Sequence, residues 1–105
     1  MQTPAQQYEH LLTLLHFRPH PLRMHVLEAL TASHDHTDVR ALCDRMKESG
    51  VDAHKEKVRM VVKRLNECGF LDRQLIRGKN KFLFRLKDYA LLEAEVGSKI
   101  QNQHL

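Results

Sequence analysis

Hydrophobic residues recur at three- and four-residue steps in five stretches of the chain, which is the period of an amphipathic helix. The stretches predict helices over residues 4–16, 21–32, 37–49, 54–68 and 88–100. The pattern changes after residue 69, where two apolar-rich runs, Phe70–Arg77 and Lys81–Lys87, flank Gly78-Lys79-Asn80. Such runs around a glycine-containing turn predict a β-hairpin.

Residues at the predicted helix ends support these boundaries. Thr3 and Gln6 have the spacing of a capping box, and Thr37 and Asp88 are placed to cap the third and fifth helices. Gly69 follows the fourth helix, where glycine accepts a positive φ without a Cβ clash. The expected order is therefore helix, helix, helix, tight turn, helix, hairpin and helix.

Two helices joined by a few residues including glycine are typical of a helix-turn-helix, and an added hairpin makes a winged helix. We expect a mainly α, α+β fold in one domain over residues 1–105, the usual size of a single domain. It would comprise an N-terminal helix over 4–16, a winged-helix core over 21–87 and a C-terminal helix over 88–100.

The first and last helices are not needed for a three-helix winged core, yet their apolar stripes must be buried. Tyr8, Leu11 and Leu12 mark one stripe, and Leu92 and Val96 mark the other. The stripes either pack on their own domain or form a two-fold homodimer, as DNA-binding proteins commonly do. A homodimer through the terminal helices is the expectation, with the first alternative open.

Charge is concentrated in one third of the chain. Residues 52–87 hold eleven Lys/Arg and four Asp/Glu, a balance of +7, whereas the rest has a balance of −3, giving +4 overall. A positive helix beside a positive hairpin is the pattern that closely spaced phosphates select, so double-stranded DNA is the expected partner.

The candidate DNA-binding residues come from that segment, with Arg59 the best candidate for reading guanine and the lysines expected on phosphates. They are Lys55, Lys57, Arg59, Met60, Lys63 and Arg64 on the helix, and Arg73, Arg77, Lys79 and Lys81 on the wing. The alternative is a solvated helix face and a hairpin whose charges discourage pairing with other edges.

Other chemistry has little support in the sequence. His34 and His36 are weak metal-ligand candidates, because a structural zinc site takes four ligands and no second pair has suitable spacing. Cys43 and Cys68 lie on predicted apolar faces, where a free cysteine acts as a small hydrophobe, and a redox switch is the lesser alternative. Glu9 and other helix carboxylates are expected to face solvent. No catalytic motif is recognisable, so neither enzymatic activity nor a cofactor is expected.

No apolar run approaches the eighteen or so residues of a membrane span. The start, MQTPAQQYEH, lacks the basic and apolar parts of a secretory signal. A cytoplasmic protein is therefore expected.

The segment from Phe17 to Leu86 resembles the N-terminal DNA-binding domain of the ferric uptake regulator family. The likeness lies in residues 18–30, RPHPLRMHVLEAL, in residues 36–42, HTDVRAL, and in residues 66–71, NECGFL. It implies a winged helix that binds DNA in the bacterial cytoplasm or nucleoid. His36, with His34, matches a metal-ligand position of that family.

Two departures limit what the resemblance implies. The family's recognition helix usually carries Thr-Val-Tyr-Arg, where this chain has Lys57-Val58-Arg59-Met60, so the base contacts do not transfer. The family's C-terminal metal-sensing and dimerisation domain has no counterpart in these residues. The resemblance therefore implies a protein of similar shape rather than a metal sensor.

The expected function is a sequence-specific DNA-binding transcription regulator, acting as a repressor, with helix 54–68 in the major groove and wing 70–87 on the backbone. The alternative is a winged-helix adaptor that binds a protein partner and has no specific DNA site.

Overall fold

The computed structural model describes residues 1–102 and has the predicted order of elements. The bounds are α1 Pro4–Leu14, α2 Pro21–Ala32, α3 Val39–Glu48, α4 Lys55–Glu67, β1 Leu71–Ile76, β2 Lys81–Leu86 and α5 Tyr89–Asn102. Five helices and an antiparallel hairpin confirm the α+β winged-helix fold. Helix α5 extends two residues beyond the predicted end at residue 100, and residues 103–105 lie outside the described residues.

The predicted cap at Thr37 is wrong, because Thr37 pairs with β2 instead. Its N–H donates to the Phe84 carbonyl at 2.8 Å, and the Phe84 N–H donates back to the Thr37 carbonyl at 2.8 Å. Asp38 caps α3, with its Oδ1 accepting from the Ala41 N–H at 2.8 Å. Thr37 thus lies on the side of β2 away from β1, and this pairing ties the start of the helix-turn-helix to the wing.

Two other helix ends show which local signals were sufficient, although α1 ends two residues before the expected position. The capping box of Thr3 and Gln6 is present. After α1, His16 adopts a φ of 70° and the Phe17 N–H donates to the Leu12 carbonyl at 3.0 Å. This left-handed turn, usually made by glycine, ends the helix. Gly69 makes the same turn after α4, with a φ of 83°, as predicted.

Helix α2 lies at the centre of the packing and contacts α1, α3, α4 and β2. Its fully buried Val26 and Leu27 meet apolar side chains of the other elements in one core, including Leu42, Val58 and Leu65. Buried aliphatic contact of this kind is the main favourable term in folding. The core thereby fixes the orientation of α4 relative to α2 and α3.

The terminal helices pack on their own chain. Tyr8 of α1 and Tyr89 of α5 meet edge to face, with ring centroids 5.6 Å apart, and the Tyr8 hydroxyl donates to the Lys87 carbonyl at 2.8 Å. Leu12, Leu92 and Val96 from the two predicted stripes are buried in this contact region. The apolar surface expected to form a dimer is therefore covered within one chain.

Glu9 was expected to face solvent, and this is wrong. It is buried and accepts two hydrogen bonds from Arg23 of α2, from Nε at 2.9 Å and from Nη2 at 2.5 Å. Arg23 also donates to the Arg18 carbonyl at 2.6 Å and lies over the Phe17 ring. A buried carboxylate requires such a partner, and the pair fixes the α1–α2 connection.

Candidate nucleic-acid interface

Helix α4 buries one side and presents all six of its predicted DNA-binding residues on the others. Val58, Val62 and Leu65 face the core. The exposed residues include Lys55, Lys57, Arg59, Met60, Lys63 and Arg64, together with Glu56 and Glu67. His54 caps the helix, since its Nδ1 accepts from the Glu56 N–H at 3.3 Å. The helix is therefore held by its apolar side and leaves its cations free to meet a partner.

The six predicted residues of α4 differ in whether they line a neighbouring cleft. Lys57, Met60 and Arg64 line an open cleft of about 1290 Å³ between α4 and the connection from α1 to α2. Lys55, Arg59 and Lys63 are not among the cleft-lining residues. Three of the six predicted residues therefore line the cleft, and three lie outside it.

Residues from the α1–α2 connection form the opposite side of this cleft. They include Arg18 and His20, and His25 of α2 also lines the cleft; sequence reasoning selected none of the three. Their positions come from the fold, because the Arg23–Glu9 pair holds the connection beside α4. The signal available in the sequence was Arg18 just before the two prolines, but its spatial relation to Lys57 could not be read from spacing.

Arg59, the predicted base-reading residue, has a neighbour of opposite charge on its own helix. Its Nε lies 3.8 Å from Glu56 Oε1, and both side chains are more than half exposed. Exposed pairs of this kind are worth little in water. Arg59 can therefore exchange this partner for a base or a phosphate at small cost.

The wing cations occupy three different settings. Arg77 and Lys79 are exposed in the loop between the strands. The Lys81 Nζ lies 2.7 Å from Asp38 Oδ2 at the start of α3. That hydrogen bond, together with the one from the Ala41 N–H, holds the pKa of Asp38 below its ordinary value. Lys81 therefore has a structural partner in the free protein, unlike the two loop residues.

Arg73 lies on a mixed apolar and cationic part of the wing. Its guanidinium stacks over the Phe82 ring at 4.9 Å from the centroid. Leu75 and Phe82 are paired across the strands, and they are 58% and 48% exposed. Sequence reasoning missed this apolar pair because alternation along a strand shows which residues share a face but not where the core ends.

The histidine pair has little around it that resembles a metal site. His34 is exposed, whereas His36 is partly buried with its Nδ1 3.5 Å from Asp35 Oδ1. Within residues 1–102, no three His, Cys, Asp or Glu side chains come together in a way that could hold a metal ion. The ligand set that a structural zinc ion requires is therefore not assembled around His34 and His36 in this part of the chain.

Both cysteines are partly buried against the core. Burial raises the pKa of the Cys68 thiol and that of the Cys43 thiol. The Cys68 Sγ also donates to the Leu65 carbonyl at 3.3 Å. A raised pKa lowers the thiolate fraction, which is the reactive form, so the environment favours packing over redox chemistry.

Among residues 1–102, the helices are too short or too polar to span a bilayer.

Comparison with known proteins gives a likeness of fold. No protein-family model matches the chain, and no curated protein matches it. Among solved structures, the chain is similar to PerR from Streptococcus pyogenes, described as a protein of peroxide sensing and gene regulation, with a TM-score of 0.68. The chain has the winged-helix fold. The resemblance to the DNA-binding domain of the ferric uptake regulator family, to which PerR belongs, is thus confirmed for the fold.

The match to PerR is limited in coverage and in sequence identity. It covers 81% of this chain and 58% of the PerR chain, at 14% sequence identity. The rest of PerR has no counterpart in the alignment. At this sequence identity the match shows the fold alone, and it assigns neither the peroxide response of PerR nor any functional residue to this chain.

Proposed function

We propose that the chain is a DNA-binding transcription regulator that contacts duplex DNA through α4 and the wing. One observation carries the proposal: the five cations of α4 are all exposed on a helix whose opposite side is locked into the core of a winged-helix fold. The likeness to PerR supports a gene-regulatory role. In helix-turn-helix proteins the second helix enters the major groove, which corresponds to α4 here.

In this proposal the role of each side chain in DNA binding follows from its chemistry. Lys55, Lys57 and Lys63 neutralise phosphates, which fixes the position of the helix and provides salt-dependent affinity. Arg59 reads a guanine, because a guanidinium can bond O6 and N7 together. At the wing, Arg77 and Lys79 reach the backbone or the minor groove. Met60, 58% exposed, supplies an apolar contact beside Arg64.

Lys81 and Arg73 take supporting parts in this proposal. Lys81 pairs with Asp38 in the free protein, so its part is to hold the loop end of the wing against α3. Arg73 is held over the Phe82 ring on one face of the same hairpin. Both residues remain near a phosphate backbone that follows the wing.

The proposed mode of regulation is occupancy of a DNA site. The proposed regulator would repress by covering a promoter, in the cytoplasm, with no enzymatic activity and no cofactor. The chain would act as a single domain, and a homodimer would place two α4 helices in successive major grooves. The apolar stripes of α1 and α5 are already buried, so such a dimer would require another surface.

The second candidate is a winged-helix adaptor for a protein partner. The cleft beside α4 favours it, because apolar residues such as Phe17, Leu22 and Val61 line the cleft together with cations. An acidic segment with apolar side chains would fit there. In that case the cations of the wing loop would have no role in binding.

Alanine substitutions distinguish the two candidates. Arg59→Ala with Lys63→Ala removes cations outside the cleft, whereas Lys57→Ala with Arg64→Ala removes cations that line it. Lys99→Ala on α5 is the matched control, a charge loss outside residues 52–87. The DNA proposal predicts weaker duplex binding for both double variants, an unchanged control and intact helical circular dichroism.

A regulator must also prefer a particular site. Selection from a random duplex pool should enrich one sequence for the wild type, and Arg59→Ala should lose discrimination at one base pair of that site. Binding to duplex DNA that is equally weak for the wild type and every variant would favour the adaptor.

A further inference from the structure

The distal half of the wing exposes a compact apolar surface. Leu75 and Phe82 lie opposite each other in the hairpin register, so their side chains share one face of the sheet. The same face carries Leu71 and Phe84, which are only 5% and 6% exposed. The core therefore buries the base of this face, and the apolar face continues beyond the core to the loop.

Cations frame this apolar pair. The Arg73 guanidinium lies 4.9 Å from the Phe82 ring centroid, and Arg77 and Lys79 are exposed in the adjoining loop. A second copy of the chain placed on this surface would bring like charges together, which is unfavourable. A partner with an apolar strip between two rows of negative charge would match this surface. The strip would contact the apolar pair, and the negative charges would pair with the cations.

The minor groove of duplex DNA has this composition, since sugar and base edges form its floor and walls between two rows of phosphates. Proteins that bind there commonly insert apolar side chains beside Arg or Lys. A hairpin with an apolar pair near its tip and cations around it has the matching arrangement.

We propose that Leu75 and Phe82 form an apolar contact with the minor groove of duplex DNA, with Arg73 held over Phe82 to meet the flanking phosphate. The inference rests on the proposed DNA-binding function and adds to it two uncharged residues outside α4. Their contribution releases no counterions, so it differs in kind from that of the lysines.

The first test compares affinity and salt dependence for Phe82→Ala and Leu75→Ala. Each should weaken duplex binding by about tenfold while leaving the slope of log K against log salt unchanged, because apolar area but no charge is lost. Leu91→Ala and Leu14→Ala are matched controls, since these leucines are 51% and 40% exposed on α5 and α1. Phe82→Ala that binds like Leu91→Ala would overturn the proposal.

The second test identifies the groove. Netropsin fills the minor groove of an A·T-rich duplex, and it should weaken the wild type more than it weakens Phe82→Ala. Equal weakening of both proteins would contradict a minor-groove contact. The variants should retain the circular dichroism and thermal transition of the wild type, because the Phe82 side chain is half exposed.

Two further outcomes separate this inference from its alternatives. Sedimentation of the DNA-free protein should be the same for the wild type and Phe82→Ala, and a dimer that dissociates in the variant would assign the surface to a second copy. If the wild type binds no duplex at low salt, the proposed function itself fails. If it binds and the wing variants match the leucine controls, only the wing contact fails.

Discussion

The Lys81 ammonium lies 2.7 Å from the Asp38 carboxylate, and this pair joins the loop end of β2 to the N-terminus of α3. Asp38 also caps α3 through the Ala41 N–H. One carboxylate therefore connects the helix-turn-helix with the hairpin, beside the backbone pairing of Thr37 with Phe84. The two candidate DNA-contacting elements, α4 and the wing, belong to parts of the fold that this link holds together.

The Asp38–Lys81 pair should make the free energy of unfolding fall at low pH. The pKa of Asp38 is lowered in the folded protein, chiefly by the hydrogen bond from Lys81. The charged Asp38 carboxylate therefore contributes fully to the free energy of unfolding above the ordinary aspartate pKa of 3.8. This contribution is lost as the pH falls through the lower pKa of the folded protein. Asp38→Asn keeps a capping oxygen but removes the charge.

Urea unfolding at several pH values checks this prediction. At pH 7 the Asp38→Asn variant should be less stable than the wild type by about 0.5 kcal/mol, a small value because Lys81 is half exposed. The difference should vanish at the acid end of the range. Asp44→Asn, an exposed aspartate on the same helix, is the control. A difference between wild type and Asp38→Asn that grows as the pH falls would contradict the assignment.

The Glu9–Arg23 pair should carry a large penalty when only one partner is removed. Both side chains are 11% exposed, so Glu9→Gln leaves the Arg23 charge buried without its carboxylate. We expect a loss of about 3 kcal/mol in the free energy of unfolding. The variant should also loosen the α1–α2 connection that lines the cleft, since Arg23 holds the Arg18 carbonyl.

Chemical denaturation measures this loss. Glu28→Gln, on the exposed side of α2 and 3.8 Å from His25, is the matched control and should change stability by no more than about 0.5 kcal/mol. Replacing both Glu9 and Arg23 by Met should cost less than Glu9→Gln alone, because no charge is then left buried. A Glu9→Gln protein as stable as the control would show that the pair is not buried in solution.

A structural feature can be predicted from the sequence when the residues that determine it are close together in the chain. The stripe of Val58, Val62 and Leu65 follows from a local period, and Gly69 follows from the φ that a helix end needs. Thr37 and Asp38 are equally good caps by composition, and pairing with Phe84, 47 positions away, decides between them. No local pattern contains that contact.

The same reasoning explains the differences in the candidate site. All six α4 candidates are exposed, since residues off the apolar stripe of a helix face away from the core. Their division by the cleft depends on where the α1–α2 connection lies, and Arg23 fixes that through a Glu9 located 14 positions earlier. The exposed Leu75 and Phe82 were missed because the extent of the core along the hairpin depends on packing.

His16 offers a stabilising substitution. It has a φ of 70° after the last turn of α1, a conformation that costs an L-residue about 1 kcal/mol or more and suits glycine. His16→Gly should therefore raise the free energy of unfolding by about 0.5–1 kcal/mol, measured by thermal or urea unfolding. His10→Gly, within the exposed side of α1, should instead lower it by a similar amount. A His16→Gly variant that is less stable than the wild type would contradict the left-handed conformation of His16.

The most direct test of the central claim is the salt dependence of duplex binding, measured by fluorescence anisotropy with a random-sequence duplex at two salt concentrations. If α4 and the wing loop neutralise phosphates, log K should fall with log salt with a slope of about −4 or steeper. Lys99→Ala should keep that slope, and Lys57→Ala with Arg64→Ala should make it less steep by about 1–2 units. Failure of the wild type to bind at low salt would contradict the account and direct attention to an acidic protein partner.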